Sequence, residues 1–248
     1  MSNDTIITRL INIDSDDRVN PNNSTSTNFR INLPNDSGLQ NCYKIVLRSA
    51  KFVNSQYNIR AGINNTIGWN NNGVNYSVAI FAGWYDITTL LTTLNAIPNF
   101  PTTVLDTISD RLSFTFVGVG GFIDHTSNMA STLGVLTTAF LPVILLEADK
   151  SPTLMGLETC WLRCPQFAAS NRIDSHLDCD NSFINIPITA PYKAVNNYEP
   201  SDSIFTGLLF NPPINFTNLD IQLIDDYENV IDLRKFNTSF VFIAYMKK

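Results

Sequence analysis

The sequence predicts an all-β protein folded as an antiparallel β-sandwich, on three observations. Apolar residues recur at period two in stretch after stretch, the spacing that turns one face of a strand inward and the other outward. The 30 asparagines suit strands joined by long turns, because asparagine adopts left-handed conformations and closes side-chain turns on its own backbone. Only one segment carries a clear helical period. With charged residues at 15%, the polar surface must come from Asn, Thr and Ser instead of the Glu and Lys of a helical bundle.

From the N-terminus, "IITRLINI" reads as a strand that runs into an acidic knot, Asp14-Ser15-Asp16-Asp17. "NFRINL" places Phe29, Ile31 and Leu33 on one face. The longer "CYKIVLRSAKFV" alternates Tyr43, Ile45 and Leu47 with Lys44, Val46 and Arg48. "GVNYSVAIF" aligns Val74, Tyr76, Val78 and Ile80, and "RLSFTFVGV" aligns Leu112, Phe114 and Phe116. "TCWLRC", "SFINIPI", "SIFTGLLF", "LDIQLI" and "SFVFIAYM" repeat the pattern, which makes eight to ten strands. The helix is expected over Asp86–Asn95: Ile87, Leu90, Leu91 and Leu94 form one apolar face, Asp86 is placed to cap it and Pro98 ends it. Two weaker helical candidates are "SNMASTLGVLTT" and "SPTLMGL".

A chain of 248 residues fits one large β domain or two small ones. No Pro- or Ser-rich linker divides it, so one domain over 1–248 is expected, with an N-terminal strand and a polar arm over about 14–28. The Gly-rich stretch 120–158 reads as a long excursion between strands. A net charge of −6 without a basic stripe argues against direct nucleic-acid binding. The N-terminus shows no signal-peptide pattern, and "VLTTAFLPVILL" is too short for a membrane span.

No motif makes an enzyme the favoured reading. Cys160, Cys164, His176 and Cys179 have the residue types of a zinc site. But "TCWLRC" reads as a strand, where residues four apart sit roughly 13 Å from each other, so the cysteines read as core residues. The acidic knot lacks the glycine and the distal glutamate of a calcium loop. "DSHLDCD" contributes Asp174, His176, Asp178 and Asp180. His176 and Asp178 have the spacing of an iron-binding pair, but the second histidine, His125, precedes the pair where that pattern wants it after. There is no G-x-S-x-G, and "GVGG" at 118–121 is not followed by Gly-Lys-Ser/Thr. No catalytic, cofactor-binding or metal residue is therefore assigned, and no cofactor is expected.

The order of elements is itself a signature. Asp14 to Arg18 matches a "D-S-x-D-R" strand end; Phe29, Ile31 and Leu33 match "F-x-I-x-L"; Gly83 to Tyr85 form a "G-x-Y" turn opening a small helix. Ile221, Leu223 and Asp225 then precede a final strand over Phe240 to Tyr245, with Asn229 in place of a turn glycine. In these features the chain resembles the penton and minor capsid proteins of large icosahedral DNA viruses of eukaryotes and of virophages, most closely the single jelly-roll penton type. The resemblance implies a single jelly-roll fold and a structural virion protein made in the host cytoplasm. It implies homopentamers at the fivefold vertices, with the chain itself, the major capsid protein and other capsid proteins as partners. A minor capsid protein cementing hexon-like capsomers builds on the same fold. The polar tract Asn20 to Thr27 is then expected to be ordered by adjacent subunits. Two other classes stay open: a carbohydrate-binding jelly roll using Trp69, Trp84 or Trp161, and a cupin-like metalloenzyme using His125, His176 and Asp178.

Overall fold

In the computed structural model, residues 5–33, 38–118, 120–137, 145–169, 182–200 and 207–248 are described. The chain forms two compact units, Met1–Gln56 with Leu157–Lys248, and Tyr57–Gly156 between them in sequence.

The first unit is an antiparallel jelly roll. Its strands are β1 (Ile6–Asp14), β2 (Asn28–Asn32) and β3 (Leu39–Val53) before the intervening unit. In the intervening unit lie β4 (Thr66–Asn71), β5 (Val74–Ala79), helix α1 (Ile87–Asn95), β6 (Thr102–Asp106), β7 (Arg111–Thr115), β8 (Phe122–Asp124) and β9 (Leu145–Glu147). The jelly roll resumes with β10 (Thr159–Arg163), β11 (Ser182–Pro187), β12 (Val195–Tyr198), β13 (Gly207–Phe216), β14 (Asn218–Ile224) and β15 (Thr238–Lys247). One sheet runs β1-β15-β3, with β12 and β13 both pairing along the far edge of β3; the other runs β11-β10-β14-β2. If β12 and β13 count as one interrupted strand, the eight strands are ordered 1-8-3-6 and 2-7-4-5, the wiring of two nested Greek keys. The fold class expected from the sequence is the observed one.

Alternation explains the core between these sheets. Ile11 and Ile13 of β1, Ile45, Leu47 and Phe52 of β3, and Phe240, Phe242 and Ala244 of β15 face inward. They meet Phe29 and Ile31 of β2, Leu162 of β10, and Leu219, Ile221 and Leu223 of β14. Phe167, Phe210, Phe216 and Phe242 add an aromatic cluster, with the Phe167 ring 5.5 Å from Phe216 and 6.3 Å from Phe242.

The second unit has its own core and two three-stranded sheets, β5-β4-β8 and β6-β7-β9. Asn72 and Gly73, both at positive φ, make the tight turn from β4 to β5, a sequence pair suited to a twisted hairpin. Helix α1 begins where expected: the Asp86 carboxylate accepts the Thr89 N–H at 2.7 Å, and Leu90 and Leu94 are buried. Burying each leucine contributes about 1.5–3 kcal/mol. The stretch 120–158, read from the sequence as an excursion between strands, falls within this second unit up to Gly156.

Three local expectations are corrected. "SNMASTLGVLTT" forms consecutive turns and "SPTLMGL" is irregular; neither is helical over its described residues. In the first, Met129, Ala130, Leu133 and Val135 are buried together, so an apolar period here marks a packed loop. In the "DDYENVI" turn the positive φ falls on Glu228, not Asn229. Asp225 organises this turn by accepting the N–H groups of Tyr227 and Asn229.

Candidate assembly surface

The outer faces of the two jelly-roll sheets differ in chemistry. On the β11-β10-β14-β2 sheet the outward residues are polar and satisfy one another. Arg30 donates from Nε and Nη2 to the two oxygens of Asp220, at 2.6 and 2.8 Å. Gln166 adds a bond to Asp220, Arg163 donates to Gln222, and the Trp161 indole donates to Asp226. Arg30 holds the Asp220 carboxyl below its ordinary value, chiefly through the hydrogen bond. The folded value is depressed, so this contribution is present above the usual carboxylate range and disappears as pH falls through it. In a carboxylate NMR titration the Asp220 midpoint is expected below 3.8, and Arg30→Gln is expected to move it upward; an unchanged midpoint in the variant refutes the assignment.

The outer face of the other sheet is aliphatic at its centre. Register places Leu10 of β1 beside Ile243 of β15, and Ile243 beside Val46 of β3. Leu10 is 59% exposed, while Val46 is nearly covered. One row along, Thr8, Tyr245 and Lys44 align, followed by Leu209 of β13, which is 58% exposed. Lys44 lies over the Tyr245 ring at 5.5 Å and Lys247 over the Tyr43 ring at 5.7 Å. Lys51 stands further along β3, beside Ser239. An apolar centre with aromatic and cationic side chains around it has the make-up of a protein interface. Beside it, β1 is the last strand of its sheet among the described residues, the position at which a sheet can be extended by another chain.

The tract expected to wait for a neighbour is held largely by its own chain. Ser26 and Thr27 are buried; the Thr27 hydroxyl donates to the Ile231 carbonyl, and the Thr238 hydroxyl donates to that of Ser26. Asn20, at positive φ, turns the chain so that Asn23 N–H reaches its carbonyl, and Pro21 to Asn23 remain exposed. A partly open cavity of about 470 Å³ lies between this tract and the Val230–Asn237 connection.

The other sequence-derived candidates have structural roles where they are described. Asp14 accepts the Asp16 N–H, Asp16 accepts from Asn237, and the buried Ser15 hydroxyl accepts the Thr238 N–H, so the acidic knot is a turn that anchors β15. His125 is exposed in the turn after β8. Asp174, His176, Asp178, Cys179 and Asp180 lie outside the described residues. Among the described residues no three His, Cys, Asp or Glu side chains gather as metal ligands. Cys160 and Cys164 are core side chains, as is Cys42. Burial pushes the Cys42 thiol up to about 11, Cys164 up to about 12 and Cys160 upward as well, so all three stay protonated at neutral pH. Native protein treated with iodoacetamide is expected to keep Cys42, Cys160 and Cys164 unmodified in peptide mass spectra, and to lose that protection on denaturation. Rapid native labelling of any of the three contradicts this burial.

The tryptophans separate clearly. Trp69 is buried, stacked on Tyr76 at 5.3 Å with its indole donating to the Asn99 carbonyl. Trp161 is half-buried and bonded to Asp226. Trp84 is half-buried and lines an open groove of the second unit.

The sequence matches no family model and no curated protein. Among solved structures the chain is similar to the selenomethionine-labelled mavirus penton protein. The TM-score is 0.53 at 10% identity, over 98% of this chain and 100% of that one.

Proposed function

We propose that this chain is a structural virion protein, a penton subunit that assembles as a homopentamer at the fivefold vertices of an icosahedral capsid. The observation that carries the reading is the similarity of its fold, over 98% of this chain and 100% of the other, to the mavirus penton protein. The aliphatic outer face of the β1-β15-β3 sheet supports it, because a ring needs a surface that buries apolar area between copies. In this reading the neighbours are other copies of the chain, the major capsid protein and further capsid proteins. The role is mechanical and needs no catalytic residue or cofactor.

The test is co-production with the major capsid protein of the same virus, followed by electron microscopy of the particles with a labelled form of this chain. Label at the fivefold vertices is the expected result. Label between hexon-like capsomers instead assigns the cementing role, and unlabelled particles contradict a capsid function.

A further inference from the structure

The groove beside Trp84 is built from rigid pieces of the second unit and lies far in sequence from the strands of the proposed ring face. It has a volume of about 350 Å³ and is lined by Trp84, Tyr85, Asp86, Leu105, Asp110 and Met155, among others. One buried side chain pins two of its walls. Asn58 accepts the Tyr85 N–H at 2.9 Å, donates to the Tyr85 carbonyl at 2.7 Å, and donates to the Leu154 carbonyl at 2.9 Å. The Tyr85 hydroxyl donates to the Phe81 carbonyl, which fixes that ring. Gly156, at positive φ, passes so close to the Trp84 indole that a Cβ there would sit 3.3 Å from the ring. The groove is thus preorganised on the protein's own hydrogen bonds.

Its chemistry is one-sided. Asp86 and Asp110 are both exposed and both line it, and among the described residues no lysine or arginine does. The Asp86 carboxylate caps α1, and the hydrogen bond from the Thr89 N–H holds its pKa below the ordinary value, so it stays anionic at neutral pH. Two aromatic rings, two carboxylates and an apolar wall from Leu105, Leu154 and Met155 complement a flat cation on an aliphatic stem. An arginine guanidinium stacks on indole and donates hydrogen bonds from its edge to carboxylates, while the methylenes of its stem cover apolar side chains.

We propose that this groove is a docking site for a basic side chain, arginine foremost, on an exposed segment of a protein partner. The inference does not rest on the penton reading. The carbohydrate class also draws on an open tryptophan, but neutral sugars do not call for two uncompensated carboxylates.

The test uses acetyl-Gly-Arg-Gly-amide and its citrulline counterpart, a neutral isostere, titrated into the full chain at low and high salt. Amide chemical shifts at Trp84 to Asp86 and Leu105 to Asp110 are the readout. The variant is Asp86→Asn with Asp110→Asn. Asparagine caps a helix as well as aspartate does, and it tolerates the positive φ of Asp110, so the fold is retained. The arginine peptide is expected to bind at low salt, weaken with salt, and bind the variant and the citrulline form at least about tenfold more weakly for each. The proposal is overturned if citrulline binds as well as arginine, if the variant binds the arginine peptide as tightly as the parent, or if methyl glucoside shifts the same amides while arginine does not.

Discussion

With Leu10 and Ile243 both replaced by aspartate, the subunit is expected to fold normally and to fail to assemble. The two residues are neighbours across the β1–β15 pair, and both point away from the sandwich core. Neither substitution opens a core cavity, so the circular dichroism should stay near that of the parent, with the melting temperature lowered modestly by two like charges facing each other across the strand pair. In a ring, however, each aspartate would bury a charge at the centre of an apolar contact. Losing a central anchor of this kind typically costs about 2 kcal/mol or more per contact, and an unpaired buried charge adds to it. Native mass spectrometry should show only single subunits. Rings that persist in the double variant, with the parent also a ring, place the interface elsewhere while leaving the capsid reading intact. A parent that never forms rings counts against pentamer assembly itself.

The second large effect is on stability. Phe242 is fully buried in β15, the strand hydrogen-bonded to both β1 and β3, and its ring packs 6.3 Å from Phe167 and 6.4 Å from Phe240. Phe242→Ala is expected to destabilise the jelly roll by about 3–5 kcal/mol, the lost transfer energy plus the cavity left behind. Denaturant melts followed by far-ultraviolet circular dichroism measure it. Phe242→Leu, which keeps most of the volume, should cost clearly less. A loss under about 1 kcal/mol for the alanine variant would mean that this part of the core is not packed as described.

Most of the jelly roll was legible because its strands are long and half-buried. β2, β10 and β15 alternate strictly and β14 does so up to its last residue, while β3 shifts register along its length; the stretches quoted for these five strands lie on them. Helix α1 was legible because Asp86 caps four well-spaced apolar residues. The second unit was harder to see. β6, β8 and β9 span three to five residues each, too few to establish a period, and no change of composition marks where the unit begins or ends. Met129 and Leu133 mimic a helical face although turns carry them.

The candidate surface did leave a signal. "IITRLINI" and "FVFIAYM" are apolar on both faces, whereas a strand with one solvated face alternates more cleanly. Register alone identifies which of those residues point outward, so Leu10 and Ile243 could be paired only from the fold. The groove at Trp84 was invisible for the same reason. Asp110 and Met155 are distant in sequence from Trp84, and the Asn58 side chain, a polar residue in an unremarkable segment, ties two of the walls together.

The central claim is ring assembly through an outer sheet face, and native mass spectrometry of the purified chain over a range of concentration and salt tests it most directly. The account predicts a species of five times 27.7 kDa that the Leu10 and Ile243 aspartates abolish. A mass of 27.7 kDa under every condition, or a closed assembly of another number, contradicts it.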